Sequence, residues 1–136
     1  MISYNQFFEN FSRVSERLEN AARSAGRDPR EVSLLPVTKT HSGEAIEFAN
    51  RVGLDRVGEN RVQEAAGKRS ETVATDLKWD LIGHLQSNKA GLALEVFDRI
   101  QSLDSLKLAR RLDRLAAGVG RAGAGQRRVR AARRGP

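Results

Sequence analysis

Four positions in this chain set a reactive or polar side chain where a short apolar run stops. The run Val32-Ser33-Leu34-Leu35-Pro36-Val37-Thr38 ends in Lys39, and Thr40, His41, Ser42 and Gly43 then break the pattern. A lysine leaving a core is partly desolvated, which lowers the pKa of its ammonium. The neutral amine so produced is a nucleophile that can form a Schiff base with an aldehyde. The bland alternative is a lysine that snorkels at a strand end. Three further runs end in Gly58-Glu59-Asn60, in Gly83-His84-Leu85-Gln86-Ser87-Asn88-Lys89, and in Ser102 with Asp104.

The elements that must position these residues follow from periodicity. Tyr4, Phe7, Phe8, Phe11, Val14, Leu18, Ala22 and Ala25 recur at helical spacing and predict a helix over residues 3–25 with one buried face. Ser3 and Gln6 form its capping box, Gly26 its stop, and Pro29 follows. Strands are expected near 32–38, 54–58, 77–83 and 98–103, with helices near 42–52, 61–74, 87–96 and 105–117. Ser42, Asn60, Ser87 and Asp104 are the expected N-caps. Strands alternating with helices imply a parallel sheet with right-handed crossovers. Pro36 has no N–H for a ladder, so the first strand should be bulged or start irregularly.

In parallel α/β folds, function collects at the C-terminal ends of the strands. Lys39, Asn60, His84 and Ser102 therefore fall on one rim. Each has an ordinary reading beside the functional one. Asn60, Ser87 and Asp104 could only cap helices, His84 could be a loop histidine, and Glu59 and Glu64 could face solvent. With two histidines and no cysteine in 136 residues, no zinc-ligand spacing exists, and there is no glycine-rich phosphate loop.

Composition narrows the classes further. Apolar residues make up 39% of the chain, enough for one small core. No apolar run suggests a membrane span, and the start lacks the basic-then-apolar signal pattern, so a cytoplasmic protein is expected. The net charge of +7 sits mostly in residues 118–136, which hold six arginines and no acid; the rest has 18 basic and 17 acidic residues. This Gly/Ala/Arg segment has no amphipathic period and is expected to be a disordered tail or a wrong-frame translation. It carries no aromatic residue for stacking, so specific nucleic-acid binding is not expected from it.

Taken together, Leu35-Pro36-Val37-Thr38-Lys39-Thr40, then Gly58-Glu59-Asn60-Arg61-Val62-Gln63-Glu64, then Trp79-Asp80-Leu81-Ile82-Gly83-His84-Leu85-Gln86-Ser87-Asn88-Lys89 resemble the pyridoxal phosphate homeostasis proteins. The last phrase, from Ile82 to Lys89, is highly specific to that family. The resemblance covers roughly residues 3–117 and implies an alanine racemase-type (β/α) TIM-type barrel. It further implies pyridoxal 5′-phosphate (PLP) held as a Schiff base on Lys39, a role in vitamin B6 balance, and no established turnover. Asn60, His84 and Ser102 are candidate cofactor-binding residues on their rim position.

The resemblance stops after the helix containing Leu106, Leu108, Leu112 and Leu115. The family's later Ser/Gly/Met-rich and Arg-Ile-Gly segments, which hold the cofactor phosphate and flank its ring, do not follow. The expectation is residues 1–117 as the N-terminal half of the barrel, truncated after about the fourth βα unit, with 118–136 as tail. Such a half-barrel should leave a strand edge and an apolar strand face uncovered, both prone to self-association. Two alternatives stand beside PLP homeostasis: a fragment of a PLP-dependent amino-acid racemase, whose second acid/base group would have to come from elsewhere, and a truncated chain without function.

Overall fold

A computed structural model of the chain describes residues 1–73, 76–121 and 130–131. Helix α1 (Tyr4–Ser24) is followed by a 3-10 turn at Pro29–Glu31, then α2 (Gly43–Arg51), β1 (Arg56–Glu59), α3 (Val62–Glu71) and β2 (Lys78–Leu81). A second 3-10 turn at Ser87–Lys89 leads into α4 (Ala90–Val96), and β3 (Arg99–Ile100), α5 (Leu106–Arg121) and β4 (Arg130–Ala131) complete the order. The strands pair in parallel in the order β1-β2-β3-β4. Consecutive parallel strands joined through helices are the winding of a (β/α) barrel, present here in part.

Alternation along the strands sorts the two faces of the sheet. Val57, Trp79, Leu81 and Ile100 turn toward the helices and form one core with Ile46 and Ala49 of α2, Val62 and Ala65 of α3, Ala93 and Val96 of α4, and Leu108 of α5. Trp79, Phe97, Ile46, Leu81 and Ile100 are essentially inaccessible, and each contributes about 1.5–3 kcal/mol of burial. The opposite face is mixed: the side chains of Leu35 and Ile82 stand over Gly58 there, beside a charged cluster. Asp80 is fully buried on it, 2.5 Å from Arg56 Nη1, 3.8 Å from Arg99 Nε, and accepting from Gln101 Nε2 at 2.7 Å. The period of two sends Val57, Trp79, Leu81 and Ile100 to the helices and leaves Arg56, Asp80 and Arg99 for this face.

The expected strand at 32–38 is reduced to a single parallel bridge, Val37 to Gly58. Gly58 N–H donates to the Pro36 carbonyl at 2.8 Å and Thr38 N–H to the Gly58 carbonyl at 3.0 Å. Pro36 itself has nothing to donate, and Thr40 turns the chain away with φ 63°, so the ladder cannot extend in either direction. Two expected N-caps also differ. Arg61, not Asn60, occupies the cap position of α3, and Ser105, not Asp104, accepts from the N–H of Leu108 at the start of α5. Ser42 occupies the cap position of α2 without a side-chain bond, and Ser87 lies inside the 3-10 turn. Ser3 accepts from Gln6 N–H and Gly26 has φ 70°, as the sequence predicts for both ends of α1.

The expected buried face of α1 is only partly covered. Tyr4 and Phe7 stack edge-on against Phe48 of α2, with centroids 5.4 and 5.8 Å apart, yet Phe8 and Val14 are 48% and 43% exposed. Phe7, Phe11 and Val14 line an apolar groove with Leu34, Pro36 and Val37. The expected tail boundary at 118 also shifts: α5 runs to Arg121, and Arg130–Ala131 pairs with β3. The rest of the segment expected to be a tail, 122–129 and 132–136, lies outside the described residues.

Candidate functional site

Strand register brings the sequence-predicted residues to one rim. Val37 is level with Gly58, Glu59 with Leu81, and Leu81 with Ile100. Lys39, Asn60, His84 and Ser102 therefore all follow the C-terminal ends of neighbouring chain segments. Ser102 Oγ donates to the Gly83 carbonyl, tying the segment after β3 to the segment after β2. Between β1 and β2 the approach is closer still. A Cβ built on Gly83 would lie 2.2 Å from the Asn60 carbonyl oxygen, and this obstacle is backbone. Replacing Gly83 with alanine is therefore expected to lower stability by about 2–3 kcal/mol, read as a shift of the urea midpoint; an unchanged midpoint would refute the contact.

This close approach creates a cleft at the rim. Asn60, Arg61, Gln63, His84, Gln86 and Lys89 line it. Its lining holds two cations, carboxamides and an imidazole, with Asp104 against His84 and Glu64 near Arg61. His84 Nδ1 lies 3.2 Å from Asp104 Oδ2, in a pair more than half exposed on both sides, which contributes little to stability. Asp104 thus faces His84 instead of capping a helix.

Lys39 is exposed, not half-buried as the sequence predicts. The strand that was to bury its stem ends at Val37, and the side chain stands open to solvent. The buried lysine is Lys68 of α3, 8% exposed. Its Nζ donates to the Thr38 carbonyl at 2.7 Å, to Glu59 Oε1 at 2.8 Å and to Glu64 Oε1 at 2.9 Å. Three acceptors match the three N–H bonds of an ammonium. Thr38 Oγ1 donates to Glu59 Oε1 at 2.6 Å, and Thr40 N–H donates to Glu64 Oε1 at 2.8 Å. The hydrogen bond from Lys68, followed by that from the Thr40 N–H, holds the Glu64 carboxyl below the usual glutamate range. Glu59 is completely buried and Glu64 partly so, against the solvent-facing alternative left open for both. Sequence reasoning passed over Lys68. Two signals pointed to it: the i,i+4 spacing from Glu64, and the alternation that sets Glu59 on the same face as Val57.

Among the described residues there is no group of three or more His, Asp or Glu side chains that could hold a metal ion, and no helix long and apolar enough to cross a membrane. The residues present suit an anionic aldehyde. Lys39 offers an amine open to solution, and the cleft on the same rim offers Arg61 and Lys89.

Fold and rim define a partial (β/α) barrel chain whose polar residues gather at the C-terminal ends of parallel strands. The chain is a relative of the pyridoxal phosphate homeostasis proteins. It is 45% identical over 104 residues to the protein of that name from Pseudomonas aeruginosa, covering 76% of this chain and 45% of the relative. To the Escherichia coli protein of the same name it is 40% identical over 112 residues, covering 80% and 48%. The structure of PipY from Synechococcus elongatus, solved with PLP bound, superposes with a TM-score of 0.66 at 48% identity, covering 76% of this chain and 49% of that one. An unknown protein from Bifidobacterium adolescentis superposes with a TM-score of 0.80 at 34% identity, covering 88% and 54%. No protein-family model matches the chain. The chain spans about half the length of the curated relatives it matches.

Proposed function

We propose that this chain is the Schiff-base-bearing N-terminal half of a PLP-binding barrel and serves intracellular PLP homeostasis in the cytoplasm, binding the cofactor without catalytic turnover. The observation that carries this reading is the register, which sets the exposed Lys39 on the same rim as the cationic cleft lined by Asn60, His84 and Lys89. It is supported by the relatedness to proteins named for PLP homeostasis and to PipY, whose structure holds PLP.

The roles divide by residue. Lys39 would hold PLP covalently through its Nζ, in a condensation with the aldehyde that releases one water. PLP itself supplies the aldehyde and an electron-withdrawing ring. Arg61 and Lys89 attract its negative charge, Asn60 and His84 offer hydrogen bonds to the ring substituents, and Ser102 holds the loop of Gly83 that carries His84. Borohydride reduction and peptide mapping test the reading: the phosphopyridoxyl adduct should concentrate on Lys39. An even spread over Lys39, Lys78, Lys89 and Lys107 would refute a specific site.

Self-association belongs to the same reading. The groove beside Phe11, Val14 and Val37 and the strand edge at Val37 are open, and open edges and apolar grooves pair readily. The purified chain should sediment as an oligomer at micromolar concentration. A monodisperse monomer would sink that expectation and leave the cofactor site untouched.

A further inference from the structure

Lys39 is flanked on both sides by backbone that a buried ion cluster holds. On the N-terminal side, the Thr38 carbonyl accepts from Lys68 Nζ at 2.7 Å, while Thr38 Oγ1 donates to Glu59 Oε1 at 2.6 Å. On the C-terminal side, Thr40 N–H donates to Glu64 Oε1 at 2.8 Å. Lys68 joins the two carboxylates, at 2.8 and 2.9 Å. The lysine between them has no such restraint on its own side chain, which is exposed.

Thr40 adds an independent observation. Its φ of 63° is left-handed, a conformation that a β-branched residue adopts only under constraint and at a cost of about 1–3 kcal/mol. The Glu64 carboxylate on its N–H is the constraint in view. Energy is held at the residue next to the reactive lysine, where the chain turns from the sheet toward α2. Structural need alone would be met by a glycine at this turn.

We propose that Lys68, Glu59 and Glu64 form a positioning clamp that fixes the Thr38–Thr40 backbone and thereby aims the Lys39 amine across the rim. The clamp deepens the reading of Lys39 as the PLP-bearing residue and rests on it. Lys68 and Glu64 act on the backbone on either side of Lys39, and Glu59 acts through Lys68 and the Thr38 hydroxyl. Glu64 is the member that can be changed with least damage, since it is partly exposed while Glu59 and Lys68 are buried. Glu64→Ala removes the acceptor for Thr40 N–H and leaves the Lys68–Glu59 pair intact. Glu64→Gln keeps a carbonyl oxygen for the same N–H and removes the charge.

The test uses the full 136-residue chain in three forms: unmutated, Glu64→Ala and Glu64→Gln. Two readouts are taken: amide hydrogen exchange at Thr40, and PLP titration followed by borohydride trapping at Lys39. In Glu64→Ala, Thr40 should lose protection and apparent PLP affinity at Lys39 should fall about tenfold, the effect of one hydrogen bond to a charged group. Glu64→Gln should restore protection and most of the affinity, with urea midpoints of the two variants close together. Equal affinity in all three forms, or equal loss in both variants, would overturn the clamp. Absence of any Lys39 adduct in the unmutated chain overturns the PLP reading and the aiming role with it, while Thr40 exchange still reports whether the clamp holds the backbone.

Discussion

The Lys39→Ala chain is expected to lose all of the long-wavelength imine absorbance that specific PLP binding produces. Other lysines cannot substitute. Lys68 is enclosed by three acceptors and has no free N–H direction. Lys89 lines the cleft from the 3-10 turn but stands at another point on the rim, and Lys78 begins β2 at the opposite end of the sheet. Lys39→Arg should show the same loss. A guanidinium retains the positive charge yet stays protonated and cannot attack an aldehyde, so this variant separates nucleophile from charge. Affinity in the unmutated chain should be weak, because a single imine beside Arg61 and Lys89 lacks preorganised contacts to a phosphate. Retention of the absorbance in Lys39→Ala would move the site elsewhere.

Asp80→Ala is expected to be the most destabilising single change on the inner face of the sheet. Asp80 is fully buried and is approached by Arg56, Arg99 and Gln101. Removing the carboxylate leaves two guanidinium groups facing each other and an amide without its acceptor. Breaking a buried ion pair in this way costs about 3–5 kcal/mol, against a total stability of about 5–15 kcal/mol for a domain. Both arginines keep some contact with water, 24% and 34% of their side-chain surface, so the loss should fall near the lower figure. Asp80→Asn keeps an acceptor for Gln101 and should lose less. Urea denaturation of the three forms measures the order; a loss below about 1 kcal/mol in Asp80→Ala would show that water replaces the carboxylate without penalty.

The Lys68 clamp and the Asp80 cluster place charge inside a small core on both faces of one sheet. On the helix side the charges hold the backbone around Lys39. On the inner side Asp80 ties together Arg56, Arg99 and Gln101, beside Leu35 and Ile82. A bare half-barrel with an apolar inner face would be an adhesive surface. This chain sets a charged cluster into that face, and its exposed large apolar residues include Val73 and Leu106 as well as Phe8, Val14 and Val37.

By itself the sequence determined the βα alternation, the parallel order it implies, the caps of α1 and the rim to which Lys39, Asn60, His84 and Ser102 belong. These features are local: a period of 3.6 or 2, a capping serine or a stop glycine is written within a few residues. The phrase from Ile82 to Lys89 also carried the resemblance that its relatives bear out. The tertiary structure decided what depends on partners distant in the chain. It reduced the strand at 32–38 to one bridge, because Pro36 gives no donor and Thr40 turns away. It left Lys39 exposed and buried Lys68, an exchange set by which helix face meets which strand face. It gave Asp104 to His84 and the cap of α5 to Ser105. It made Gly83 obligatory, because the carbonyl it must clear belongs to Asn60, 23 residues earlier. A local pattern states which face a residue occupies; only the assembled fold states what stands opposite it.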